Sequence, residues 1–242
     1  MKPAVVFDNV RKQYGRVVAV DRVDISLHPG SIVGLIGHNG AGKSTCLQML
    51  AGLVRPTEGR VLVDGHDVVQ HPAIARARLG VVAEEPALYE YLSAREFLEF
   101  VCDVRGADGL EDALELCALG ADADRLIREY SQGMRRRTAI AASLVGAPSV
   151  VVLDEALNGL DPIAAARVKQ ALRDARTRGQ TVILSTHVVE TVESLADRVV
   201  MLGQGRVIAD MPTEGMQPGE LEQRFLTTLE ERAQAGVSED AN

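Results

Sequence analysis

Gly37-His38-Asn39-Gly40-Ala41-Gly42-Lys43-Ser44-Thr45 is the stretch on which the reading of this sequence turns. It has the spacing of a phosphate-binding P-loop: a glycine, four residues, then Gly-Lys-Ser. Its surroundings fit. Ser31-Ile32-Val33-Gly34-Leu35-Ile36 is apolar and reads as a buried strand, and Cys46, Leu47, Met49 and Leu50 give an apolar helical face ending near Gly52. A strand that passes through such a loop into a helix aims backbone N–H groups at one spot, where the helix dipole also favours anions. Lys43 then reaches the β- and γ-phosphates, and the Ser44 hydroxyl is a ligand for Mg²⁺. The ligand implied is a nucleoside triphosphate.

Working outward, the 242 residues suffice for one large core or two modest ones. With 46% hydrophobic and 25% charged residues, the composition is that of a soluble α/β protein. A formal net charge of -8 and only 3% aromatics argue against a nucleic-acid partner, which needs basic surface and stacking rings. Cys46, Cys102 and Cys117 lie in apolar helical patterns and read as reduced, buried thiols of a cytosolic protein. The start, Met1-Lys2-Pro3-Ala4, lacks the apolar core of a signal peptide. No apolar run approaches the ~20 residues that span a bilayer. Work at a membrane would therefore need a second chain.

Upstream, short strands are expected at Ala4–Phe7, Val17–Val20 and Val23–Leu27, with Asp21-Arg22 as a tight connection. Arg11-Lys12-Gln13-Tyr14-Gly15 between them reads as a polar loop, in which Tyr14 taken alone is a half-buried turn residue. Downstream come a turn at Arg55–Gly59, a strand at Arg60–Val63, a turn at Asp64-Gly65 and a strand at Leu79–Val82. From about Ala87 to Met134 the pattern is almost purely helical. Ser93 and Glu96 make a capping box, Phe97, Leu98, Val101 and Val104 an apolar face, and Gly106 a stop; a second helix covers Gly109–Leu119.

The α/β alternation returns at Ser149–Leu153, a continuous apolar strand of the kind buried on both faces of a parallel sheet. Asp161 caps a helix from Pro162 to Arg178, which Gly179 ends. A strand at Thr181–Leu184, a helix at Val188–Leu195 and a pair at Val199–Leu202 and Val207–Asp210 follow. Gly219–Asn242 reads as a helix fading into a polar tail.

The apolar strand ends in Asp154-Glu155. Two carboxylates there are costly unless they do chemistry. A Walker B aspartate would hold Mg²⁺, and the next carboxylate could polarise an attacking water. The strand at Thr181–Leu184 ends in Ser185-Thr186-His187, and a lone histidine is on its own most often a loop or capping neighbour.

Jointly, from about Val5 to Met211, these residues resemble the ATP-binding-cassette (ABC) ATPase family. Tyr130-Ser131-Gln132-Gly133-Met134 is similar to the family's signature, usually Leu-Ser-Gly-Gly-Gln, and Ala156-Leu157-Asn158-Gly159-Leu160-Asp161 to its D-loop. His187 matches the switch histidine and Tyr14 the aromatic that stacks on adenine. The resemblance implies an α/β fold: a P-loop NTPase core with a parallel sheet, an antiparallel β portion and a helical subdomain at about 87–134. It makes 1–218 a single ABC ATPase domain, followed by the C-terminal helix and tail at 219–242. It implies two copies, or a paired ABC subunit, closing head-to-tail around two ATP, with Ser131 and Gly133 of one chain on the other chain's γ-phosphate. Glu155 would be the general base, His187 a γ-phosphate contact and Asp161 a link between sites.

The organisation is most similar to bacterial exporter-type subunits, held peripherally on the cytoplasmic face by a separately encoded integral-membrane permease. Two alternatives stay open: a soluble ABC ATPase, and an ATP-dependent interaction module outside transport. The sequence departs from the family pattern at Gln132 and Met134 in the signature, and at Ala156-Leu157 after the glutamate. The third departure is Glu84, which takes the place of the Q-loop glutamine that ligates Mg²⁺.

Overall fold

The computed structural model of the protein describes residues 2–228. Its strands are β1 (Val5–Tyr14), β2 (Val17–Leu27), β3 (Ile32–Ile36), β4 (Glu58–Val63), β5 (His66–Asp67), β6 (Leu79–Val82), β7 (Val150–Asp154), β8 (Thr181–Ser185), β9 (Arg198–Gly203) and β10 (Arg206–Pro212). The helices are α1 (Lys43–Leu50), α2 (Pro72–Ala77), α3 (Ala94–Arg105), α4 (Leu110–Cys117), α5 (Gln132–Leu144), α6 (Pro162–Thr177) and α7 (Val189–Leu195), with short 3₁₀ turns at Gly120–Asp124 and Ile127–Glu129. Residues 220–228 are helical as well; the polar tail expected beyond them lies outside the described residues.

Two sheets carry the fold. The larger has the order β10-β9-β3-β8-β7-β6, parallel except for β10, and the smaller is the antiparallel set β2-β1-β4-β5. Alternation of side chains gives each central strand two buried faces. Val33, Leu35, Val150 and Val152 pack towards α1 and the antiparallel sheet, in a cluster with Phe7, Met49 and Leu50. Ile32, Ile36, Val151 and Leu153 pack on the other side against Val168 and Leu172 of α6 and Val192 of α7. A third cluster, built on Leu98, Cys117, Ile127 and Ala141, holds the helical part together.

Several sequence expectations need correction. β1 and β2 are two long strands, not three short ones, and Arg11–Tyr14 is strand rather than loop. The reason is bulging: the register shifts repeatedly between Phe7 and Gln13, and Asn9 and Arg22 take φ of 47° and 52°. Each bulge breaks the two-residue alternation that marks a strand. Val104 is exposed, because the buried row of α3 runs Ala94, Leu98, Cys102 at a spacing of four and Val104 falls off it. The capping box of Ser93 and Glu96 and the left-handed Gly106 stop are present. Helix α5 continues to Leu144, ten residues past the expected end of the helical part.

Gly80 has a packing role. A Cβ there would stand 1.9 Å from the Ser143 carbonyl oxygen, so only glycine lets α5 lie this close to β6. The three cysteines are free and buried, and burial pushes the Cys46 and Cys117 thiols up to about 12.

Candidate functional site

The carboxyl ends of β3, β7 and β8 converge with the start of α1, where ligands bind in open parallel sheets. A cavity of about 830 Å³ lies there, walled by the whole of Gly37–Thr45 together with Glu84, Glu155, Asn158 and His187. The loop is tightly seated. A Cβ at Gly37 would meet the Leu202 carbonyl oxygen at 2.4 Å, and Gly42 takes φ 102°. Lys43 is buried and its Nζ donates to the carbonyls of Gly37 (2.7 Å) and His38 (3.3 Å), so the ammonium spans the loop that an anion would enter. The first amides of α1 have no partner within the helix and face the same space.

Across the cavity, Ser185 at the end of β8 ties the two acidic residues into one arrangement. Its hydroxyl donates to Asp154 Oδ1 and accepts the Glu155 N–H at 3.0 Å. Glu155 itself sits at φ 49°, a left-handed conformation that costs a non-glycine residue about 1–2 kcal/mol. The bond to Ser185 holds it there. Asn158 donates to Glu155 Oε2, and His187 Nδ1 lies 3.1 Å from the same oxygen. An ionised carboxylate only accepts, so in this contact Nδ1 carries a proton, and Nε2 can donate to a phosphate oxygen only as a second N–H, in the imidazolium form.

The donor set suits Mg²⁺. Ser44 Oγ lies 3.4 Å from Asp154 Oδ1. Two cis oxygens on an octahedral Mg²⁺ stand about 3 Å apart. Glu84, in the exposed stretch after β6, lines the same cavity. No group of three or more His, Cys, Asp or Glu forms an all-protein metal cage among the described residues. Mg²⁺ bound through one or two carboxylates plus substrate phosphates needs none.

Ser131, Gly133 and Asp161, all expected in the site, lie away from this cavity, and Tyr14 does not line it. Ser131 is the exposed N-cap of α5, accepting the Met134 N–H at 3.3 Å, with Gly133 in the first turn behind it. Asp161 caps α6 through the N–H groups of Ala164 (2.9 Å) and Ile163 (3.0 Å). The Ala164 bond, ahead of the Ile163 one, holds its carboxyl below the usual range. Arg136 of α5 donates to the carbonyl of Asn158, three residues before the Asp161 cap. Tyr14 is half exposed at the end of β1, under the Lys12 ammonium at 4.7 Å, while its neighbours Val17, Val18 and Ala19 form the cavity wall.

Sequence reasoning missed Ser185, Asn158, Val17 and Phe225 as members of the site. Ser185 and Asn158 stood inside motifs already noted, and a polar residue beside a Walker B pair is a usable signal. Val17 and Phe225 carried none.

A match to the family described as ABC transporter covers residues 20–158. The chain is 36% identical over 241 residues to the daunorubicin resistance ATP-binding protein DrrA3 of Streptomyces coeruleorubidus, spanning 97% of this chain and 76% of that one. It is 32% identical over 215 residues to the bacitracin transport ATP-binding protein BcrA of Enterococcus faecalis, spanning 87% and 70%. Among solved structures, an ATP-binding subunit of an ABC transporter superimposes with a TM-score of 0.84 at 26% identity, over 92% of this chain and 99% of that one. A dimeric ATP-binding cassette in a post-hydrolysis state, with ADP and phosphate bound, superimposes at 0.81 and 25%, over 88% and 100%.

Proposed function

This chain belongs to the ABC transporter family, and we propose that it is the ATP-hydrolysing subunit of a transporter, closing head-to-tail with a second copy or a paired subunit around two ATP. One observation carries the reading. The P-loop, Glu155 and His187 share a cavity, whereas Ser131, Gly133 and Asp161 are turned away from it on the surface. Those residues have a phosphate to meet only on another chain.

In the closed pair, the loop amides and Lys43 hold the β- and γ-phosphates in line, which is most of what phosphoryl transfer asks of a protein. Glu155 takes a proton from the attacking water, and His187, as the imidazolium, donates its Nε2–H to the γ-phosphate. The partner's Ser131 and α5 N-terminus add donors from the far side. Ser44, Asp154 and Glu84 would hold Mg²⁺, which when bound neutralises phosphate charge. No described helix is long and apolar enough to cross a membrane. The reading assigns that task to an integral-membrane permease, with this subunit peripheral on its cytoplasmic face. The relatives named for drug resistance and antibiotic transport support export.

Cross-linking tests the pairing. The native thiols are buried, so cysteines introduced by Asn39→Cys and Ser131→Cys are the reactive ones. Oxidation of the double variant should yield a cross-linked dimer with ATP and little without it. Equal yields, or none, would sink the head-to-tail arrangement. Co-purification from gently solubilised membranes tests for the permease.

Two site expectations follow. Tyr14→Ala should weaken ATP binding by about 1–3 kcal/mol, the range for loss of one base–aromatic stack, and Tyr14→Phe should be nearly silent. An ATP titration in which Phe costs as much as Ala would remove the stacking role. Glu84→Ala should raise the Mg²⁺ concentration for half-maximal ATPase, and Glu84→Gln should shift it little, since an amide oxygen can still ligate. Superimposable Mg²⁺ titrations of all three proteins would take Glu84 out of the metal site.

A further inference from the structure

The imidazole of His187 is held loosely for a group that must meet a phosphate. Its side chain is 64% exposed, and its side-chain hydrogen-bond partner among the described residues is Glu155 at 3.1 Å, with the Asn158 amide nitrogen 3.5 Å from the same ring nitrogen. The cavity wall beside it comes from a distant part of the chain. Phe225 lines the cavity together with Thr186, His187 and Val189.

The helix at 220–228 that carries Phe225 is anchored to α7, which begins two residues after His187. Glu193 of α7 accepts the N–H of Gly219 (3.1 Å) and of Leu221 (2.9 Å), satisfying two backbone donors at the start of that helix. Leu221 is fully buried with Val192, Leu195 and Met201. Phe225, four residues on and on the same face, packs half-buried against that cluster, as does Val189. Leu226 points outward, 52% exposed. The helix is therefore bonded to α7 at Glu193 and brings Phe225 to the cavity wall that His187 and Val189 also line.

We propose that Phe225 is a positioning residue for His187: its ring backs the Thr186–Val189 segment at the phosphate end of the cavity, and Glu193 seats the helix that presents it. This rests on the reading of the chain as an ATPase. Catalysis depends on such backing because a displacement of about 1 Å at a catalytic group can cost up to 100-fold in rate.

The test is steady-state ATP turnover of the full chain, with ATP affinity and thermal midpoint measured separately. Phe225→Ala should lower kcat about tenfold while the Kd for ATP stays within about twofold of wild type. Phe225→Leu should restore most of the loss, Glu193→Ala should reproduce the same split, and Leu226→Ala should match wild type. In a His187→Ala background, Phe225→Ala should add almost nothing, because a residue acting through His187 has nothing left to position. A purely structural role would instead add its full effect there, and that overturns the proposal. So does an unchanged or raised kcat in Phe225→Ala, or a loss of ATP affinity as large as the loss of kcat. Those outcomes require a wild type that turns over; a wild type that does not would overturn the ATPase reading and this inference together.

Discussion

Glu155→Gln is expected to lower ATP turnover about 100-fold or more, the lower range for removal of a general base, while ATP still binds and the ATP-loaded chain accumulates as a dimer. Glutamine keeps the length of the side chain and an oxygen that can accept from Asn158 and His187, so the local packing survives. What it loses, in the proposed mechanism, is a site for the proton of the attacking water. Lys43 and the loop amides, to which that mechanism gives the phosphates, are untouched. Size-exclusion chromatography with and without ATP, run beside a phosphate-release assay, reads both halves. A variant that hydrolyses like wild type, or that stays monomeric with ATP, gives Glu155 a different role.

Gly80→Ala is expected to destabilise the fold by about 3 kcal/mol or more, at the upper end of overpacking costs. The added methyl would sit 1.9 Å from the Ser143 carbonyl oxygen and 2.8 Å from its carbon, both backbone atoms. Neither side can yield cheaply. Gly80 pairs with Val151 in the large sheet, and Ser143 is in the last turn of α5. For a chain of this size, 3 kcal/mol lowers the thermal midpoint by about 6–12 °C. Val81→Ala, at the exposed neighbouring position, is the control and should move it little. A Gly80→Ala midpoint within about a degree of wild type would mean that α5 slides freely on β6.

What could be read from the sequence was local. The P-loop, Asp154-Glu155 and the caps at Ser93 and Asp161 are short patterns whose residues act on neighbours within a turn. Strands β3, β7 and β8 are continuous apolar runs because both their faces are buried. The β1–β2 hairpin was misread because its bulges at Asn9 and Arg22 interrupt the alternation by which strands are recognised. Other features join residues far apart in the chain. Ser185 bridging Asp154 and Glu155, Arg136 reaching Asn158, and Phe225 lining the cavity with His187 exist only once the sheet order is fixed. A single sequence can offer Ser185 and Asn158 as polar members of motifs, but it shows none of these pairings and carries no trace of Phe225. Tyr14 shows the converse: its motif is clear, yet its ring stands under Lys12, outside the wall its neighbours form.

The surface placement of Ser131, remote from its own chain's cavity, has a consequence at the level of inheritance. If every working site borrows a serine from another molecule, activity belongs to pairs of chains and not to single ones. A damaged copy that still pairs then shares a dimer with a sound partner. In a cell making Glu155→Gln and wild-type chains in equal amounts, random pairing leaves about one quarter of dimers wholly wild-type and about one half mixed. A mixed dimer keeps one complete site, in which the wild-type Glu155 faces the variant's intact Ser131, so the defect would be dominant if the two sites fire only together and partial if each fires alone. A copy too unstable to pair, such as one carrying Gly80→Val, would be recessive, because it leaves the sound chains to find each other.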